Sequence, residues 1–403
     1  MLAQLAALTV AITFTATWWS PSPAFDFLSK PATPHVVALG GCGITMVDAE
    51  SSLYNPAALG MRHLDRKCSV SFPFHNTPIL PRTNEAYTST QEVSAGLSLR
   101  QLGLVSEKSP NLSLAFGYSR YKTDWGRLTG SNIGFGGEFD ALSVVETVDI
   151  YSVAVAIDYR VRLALGYSAK KAYSDFARII VNDGEAKLYD VGVMASSRLR
   201  TLLKRPGSPF AARSTYVSVE PTIAFVHQNG VRKLPPEDIF YRYPGQSLLN
   251  ARNVLGFSLR GALDREGRAE LVSFCALAEF AWETHSRVEI ESAGAELGLG
   301  GVLFLRTGDR TESNFDRYSG GDILPAELLF LYDSHSFNSC GFGLDLDGVL
   351  AWLWELGWLK RPQPPLADLF ESLNLSFDYA RMSSDLVDDP DQAQTAINLS
   401  FSF

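Results

Sequence analysis

The last ten residues, Gln394 to Phe403, constrain this chain more than any other stretch. Ile397, Leu399, Phe401 and Phe403 alternate with Ala396, Asn398, Ser400 and Ser402. A strand points successive side chains to opposite faces, so this segment carries one apolar face and one small, polar face. Two folds accept such a strand. One is the edge strand of a soluble sandwich. The other is the closing strand of an outer-membrane barrel, which needs an apolar outside, a polar lumen and no free edge. In the barrel reading, Phe401 and Phe403 are the terminal signal for the barrel-assembly machinery.

The rest of the chain favours the barrel. The 403 residues are 46% hydrophobic and 20% charged, with a mean hydropathy of +0.01. No apolar run after residue 20 reaches the roughly 20 residues of a spanning helix. Fourteen candidate strands follow residue 67: 68–74, 92–104, 111–122, 140–158, 161–173, 186–199, 214–229, 250–264, 269–284, 287–296, 302–309, 339–350, 370–383 and 394–403. In the clearest, Tyr151, Val153, Val155 and Ile157 oppose Ser152, Ala154, Ala156 and Asp158. Counting back from Phe403, the outer loops are 75–91, 123–139, 174–185, 230–249, 285–286, 310–338 and 384–393, and six of these seven are long. The inner turns are 105–110, 159–160, 200–213, 265–268, 297–301 and 351–369, and four of these six are tight. Long outer loops and short periplasmic turns are the habit of bacterial barrels, whereas a sandwich gives no reason for the sorting. The prediction is an all-β, 14-stranded antiparallel transmembrane β-barrel with an N-terminal hatch.

The exceptions are informative. The connection 351–369 holds Trp352, Trp354 and Trp358, followed by Pro362, Pro364 and Pro365. Tryptophan prefers the headgroup level of a bilayer, so this stretch reads either as an interfacial segment at the periplasmic rim or as an overrun of the preceding strand. Residues 1–24 read as a secretory signal, apolar from Leu2 to Trp19 with small residues at Ser22-Pro23-Ala24, although no Lys or Arg precedes Lys30. The domain division is therefore a signal peptide at 1–24, a hatch at 25–67 and the barrel at 68–403. The hatch does not alternate. It holds Gly40, Gly41 and Gly43, then Asn55-Pro56-Ala57. Asn before Pro is a good helix start, because Asn accepts from the first free donors and Pro has no N–H to waste.

Little in the chain points to chemistry. A net charge of −9 argues against a nucleic-acid partner. The cysteines 42, 68, 275 and 340 form no CxxC pair, and the histidines 35, 63, 75, 227, 285 and 335 show no ligand spacing, so neither a metal nor a cofactor is expected. A Cys42–Cys68 disulfide stays open, and Cys42 reads as a small packed residue. No Gly-x-Ser-x-Gly elbow or phosphate loop is present, so an enzyme is not expected. By strand parity Arg162, Lys170 and Arg260 face the lumen with Glu279, Glu283, Asp345, Asp347 and Asp378. Their expected work is to pair across a wet lumen and hold hatch to wall.

Two groups of residues carry a family resemblance. Leu39-Gly40-Gly41-Cys42-Gly43, then Asp48, Glu50, Ser51 and Ser52, then Asn55-Pro56-Ala57, resemble the N-terminal signature of FadL-like outer-membrane barrels. Ala293-Gly294-Ala295-Glu296, Leu305-Arg306-Thr307-Gly308, Gly341-Phe342-Gly343-Leu344 and Phe377-Asp378-Tyr379-Ala380 are similar to the C-terminal pattern of the PorV/PorQ branch. Cys42, where Ala is usual, and the Trp-rich connection depart from these patterns. The resemblance implies a fourteen-stranded barrel with a hatch in the bacterial outer membrane, surrounded by lipid. It also implies one of two occupations. The first is passive transport of hydrophobic small molecules of fatty-acid or hydrocarbon type. The alternative is a PorV-like accessory barrel that handles a secreted protein.

Overall fold

The computed structural model describes residues 33–48, 50–64, 68–76, 87–106, 109–128, 142–175, 185–203, 215–233, 251–265, 270–283, 288–314, 335–355, 373–384 and 392–402. The expected signal at 1–24, most of the outer loops, Trp358 with the prolines after it, and Phe403 lie outside these residues.

The fold is all-β. Its strands are β1 Cys68–Asn76, β2 Tyr87–Ser98, β3 Asn111–Leu128, β4 Leu142–Asp158, β5 Arg162–Ser174, β6 Glu185–Ser196, β7 Leu199–Leu203 and β8 Thr215–Lys233. They continue as β9 Arg252–Arg265, β10 Glu270–Glu283, β11 Val288–Leu299, β12 Leu303–Asn314, β13 His335–Asp345, β14 Leu373–Ser384 and β15 Gln392–Ser402. All fifteen belong to one sheet, and every pairing is antiparallel. The strand from Ser69 to Asn76 runs against Ser402 to Thr395, which joins β1 to β15. β6 pairs with β8 across the short β7, from Ser196 opposite Thr222 outward. The pairing order therefore runs from β1 to β6, on to β8, and through β15 back to β1.

Burial around this order is the reverse of that in a soluble sandwich. On β4, Val155 is 43% exposed while Ala154 and Ala156 beside it are 2% exposed. Leu114, Phe116, Leu163, Leu165, Val193, Phe257, Leu259 and Phe274 all point outward and are exposed. Ser94, Ser113, Ser119, Ser152, Ser168, Lys170 and Asp190 point inward and are buried. Water would not select such an exterior; a lipid surround would.

β3 runs on past the expected end at 122 and β12 past that at 309, and three further boundaries moved for a local reason. The strand expected over 92–104 spans Tyr87–Ser98. It stops where Asn111 Oδ1 and Ser98 Oγ accept the Arg100 and Gln101 N–H groups, and a turn forms instead. β7 occupies part of the expected inner connection 200–213 and pairs with the end of β8, Leu199 opposite Val219. The strand expected over 339–350 ends at Asp345, and helix α3 follows, Leu346–Glu355. Asp345 Oδ1 accepts from the Gly348 N–H at 3.4 Å and caps that helix. Gly348 also abuts the 300–302 turn, where an added Cβ would meet Gly301 O at 2.2 Å. Asp345 is thus a cap at the strand's end, and Asp347 belongs to a helix, so the strand parity from which it was expected to face the lumen does not reach it.

The N-terminal segment holds two short helices, α1 Pro34–Ala38 and α2 Pro56–Arg62, with a 3-10 turn at Ser51–Leu53 between them. Thr33 caps α1 and Asn55 caps α2, each before a proline at the first helical position. The residues of this segment are nearly all buried, Ala38, Asn55 and His63 completely.

Candidate functional site

The candidate site is the contact between segment 33–64 and the wall strands that surround it. Glycines on inward-facing positions make the fit. A Cβ added to Gly308 on β12 would lie 2.1 Å from Gly40 N, and one on Gly166 of β5 would lie 2.2 Å from Pro56 C. One on Gly192 of β6 would lie 2.0 Å from Asn55 Oδ1, and one on Gly294 of β11 would lie 2.6 Å from Leu39 O. Only a residue without a side chain lets the segment's backbone come this close to a strand. Gly40 and Gly41 take positive φ values of 68° and 92°, and the turn they form lays Gly40 against Asp309 of β12.

Side chains then peg the segment at several heights. Glu279 Oε1 on β10 accepts from both Gly43 N and Ile44 N, each at 2.7 Å. Gly40 N donates to Ser339 Oγ on β13 at 3.1 Å. Gln228 on β8 donates to Tyr54 O, and Ser113 on β3 to Gly60 O. Asn55 accepts from Ala57 N and donates to Ile44 O, both at 3.0 Å, so one buried amide joins the two halves of the segment. Such groups cost heavily if buried without partners, which makes each peg specific.

Charges complete the attachment. Arg62 pairs with Glu92 on β2 at 2.6 Å, both side chains 3% exposed, and Ser52 donates to the other Glu92 oxygen at 2.7 Å. Arg306 on β12 bridges Glu296 of β11, at 2.7 Å, and Asp378 of β14. His35 on α1 sits between Glu296 at 3.1 Å and Asp48 at 3.3 Å. Burial and the Arg306 guanidinium disfavour charge on His35, but the bonds to Asp48 and Glu296 outweigh both, and its pKa is pushed up to about 9. Burial likewise works against the Asp48 carboxylate, yet its bond to His35 holds its pKa below the usual value. Lys170, Asp190 and Asn229 form a further buried cluster in the wall. Lys170 lies 2.7 Å from Asp190 and donates to Asn229 Oδ1 at 2.9 Å. Here β8 bulges: Gln228 and Asn229 stand opposite the single Asp190, and Asn229 takes φ 56°.

Between the segment and β8 to β12 remains a cavity of about 30 Å³. Ile44, Tyr54, Val254 and Ile290 give it apolar walls, while Arg252, Glu279 and Arg310 give it charge. Cys42 packs with Leu39 and Leu277 as a free thiol, so it makes no disulfide with Cys68. Burial pushes that thiol's pKa up, away from reactivity.

Of the residues singled out in the sequence, Gly40, Gly41, Gly43, Asn55, Pro56 and Ala57 all lie in this contact, with Glu279 directly against them. Asp378 joins through Arg306, and Lys170 lies in the neighbouring cluster. Arg162 and Arg260 do not reach it. They pair with Asp158 and Glu270 beside the turns that follow β4 and β9. Sequence reasoning did not find His35, Arg62, Glu92, Glu296 or Arg306 as partners. A usable signal was present in the glycines at inward parity inside otherwise regular strands, which mark close backbone approach.

No protein-family model matches the chain, and no curated protein matches it. Among solved structures it is similar to the CymD monoaromatic hydrocarbon channel at 12% identity and TM-score 0.39, covering 94% of this chain and 99% of that one. It is also similar to the toluene transporter TodX of Pseudomonas putida at 10% identity and TM-score 0.36, covering 91% and 96%. OprD of Pseudomonas aeruginosa follows at 8% identity and TM-score 0.29, covering 84% and 95%. Likeness of this size carries neither fold nor function across to this chain.

Proposed function

We propose that this chain is a bacterial outer-membrane protein whose cyclic strand order is a closed fourteen-stranded barrel. In this reading residues 25–67 are its hatch, residues 1–24 its export signal and Phe401 with Phe403 its assembly signal. Its work is the passive movement of hydrophobic small molecules. The observation that carries the reading is the apolar exterior joined to an interior filled by one separately packed segment. Glycines, alanines and serines face inward, and the space they leave is taken by residues 33–64 rather than by cargo. Cargo therefore passes only when the segment shifts or when the small cavity beside Ile44 and Tyr54 widens. The hydrophobic class of cargo rests on the Gly-rich and Asn-Pro-Ala resemblance.

One observation favours the alternative of an accessory barrel for secretion. Strand pairing is continuous around the order β1 to β6, β8 to β15, and the segment fits the wall closely. The test is uptake of a labelled long-chain fatty acid and a labelled alkane by liposomes carrying the purified protein. Uptake above that of an unrelated barrel supports transport. No such uptake, with a secreted protein co-purifying, establishes the accessory role instead.

A further inference from the structure

The outward positions of β3 to β6 stack in rows fixed by strand register. Leu114, Val155, Leu165 and Val193 make one apolar row. Two rows further toward the longer connections, Tyr118, Tyr151, Ala169 and Tyr189 make a row of three tyrosines and one alanine, with the Tyr118 and Tyr151 rings 5.3 Å apart. The next row is charged: Arg120, Asp149, Lys171 and Lys187 stand side by side across four strands. Lys122 and Glu185 occupy the row beyond.

This order is that of a bilayer crossed from its centre outward: apolar tails, an aromatic belt, then the headgroup layer. The cations of that layer outnumber its anions. Arg120 lies 2.8 Å from Asp149, while Lys171 and Lys187 share Glu185 at 3.3 and 3.5 Å. Their side chains nonetheless remain 50%, 57% and 52% exposed, so each keeps donors for a further acceptor. The outward positions of β11 and β12 carry Glu289, Glu291 and Asp309 instead. Basic groups are thus gathered on one side of a chain whose net charge is −9.

We propose that the β3–β6 face above its tyrosine row binds the phosphate groups of lipids in the adjoining leaflet, an inference that rests on the membrane reading. Arg120 offers a fork to phosphate oxygens, and Lys171 and Lys187 offer point charges one strand spacing apart. Tyr118 also donates to Asp149, at 2.7 Å, so that carboxylate is shared between the tyrosine hydroxyl and Arg120.

The test is lipid retention by the purified full chain in zwitterionic nanodiscs doped with diphosphorylated lipid A or its dephosphorylated form. Native mass spectrometry should show the phosphorylated form retained at least about tenfold better. The Arg120→Gln, Lys171→Gln, Lys187→Gln triple variant should lose that preference. The Asp149→Asn, Glu185→Gln variant, which removes competing carboxylates, should strengthen it. Equal retention of both lipids by inserted protein, or an unchanged triple variant, overturns the patch alone. Should the triple variant not fold, a double variant that binds no more phosphorylated lipid than wild type does the same. Protein that never enters the nanodisc overturns the patch and the membrane reading together.

Discussion

Asn55 concentrates more structure than any other single side chain of the segment. It caps α2, ties that helix to Ile44 and lies against Gly192 with no space between. Replacing it with Ala removes a cap that typically contributes about 1 kcal/mol and leaves Ile44 O without its donor. We expect Asn55→Ala to leave the strands intact but to speed amide exchange of residues 43–62; unchanged exchange there would refute the role. Gly308 tests the opposite effect, since adding a methyl group forces Gly40 off β12. Gly308→Ala should expose the segment to protease, whereas Gly261→Ala, with open space around it, should not. His35 supplies a pH dependence. Its folded pKa of about 9 stands above the ordinary value of 6.5, so its stabilising charge is fully present below 6.5 and is lost as pH rises through 9. Asp48 shifts downward, so its contribution is present above its ordinary 3.8 and is lost as pH falls further. A ring titration of His35 by NMR should show a midpoint well above 6.5, and α1 should loosen in alkali. A midpoint near 6.5 would contradict the contacts to Asp48 and Glu296.

At the scale of elements, the question is whether the segment moves as one body. Its two helices are too short to persist alone, so their order comes from the wall, from the Asn55 bond to Ile44 and from Tyr54, whose hydroxyl donates to Thr33 Oγ1 at 3.2 Å. Ala38 on α1 packs in one cluster with Ala380 on β14. In a background lacking the native cysteines, a disulfide between Ala38→Cys and Ala380→Cys would tether that end. If transport needs the segment to shift, oxidation should stop uptake and a reductant should restore it. Full uptake by the cross-linked protein would mean that the path avoids α1. Helix α3 shows how an element can escape a pattern-based reading. The run from Val349 to Trp354 is apolar like a buried strand, but it does not alternate, and Asp345 ahead of it behaves as a helix cap.

For the whole molecule, the apolar exterior makes a direct demand: without detergent or lipid the protein should aggregate. Refolded into vesicles, it should resist unfolding in cold detergent and run at an altered gel mobility until boiled. A monomeric, freely soluble form would contradict the inverted burial. The alternation of strands such as Tyr151 to Ile157, the tail from Gln394, and the sorting of loops made this sheet legible from sequence. A period of two is a property of each strand alone, and it survives whatever the strand packs against. The Asn55-Pro56 start was legible for the same reason, since a cap is a contact between near neighbours. What packs in the interior was decided by tertiary structure. His35 and Glu296, or Arg62 and Glu92, meet only through the packing of the segment against strands far away in the chain, and no local rule encodes such a meeting. The Gly-rich and Asn-Pro-Ala resemblance implied a hatch at 25–67. Only the packed structure shows which strands residues 33–64 meet.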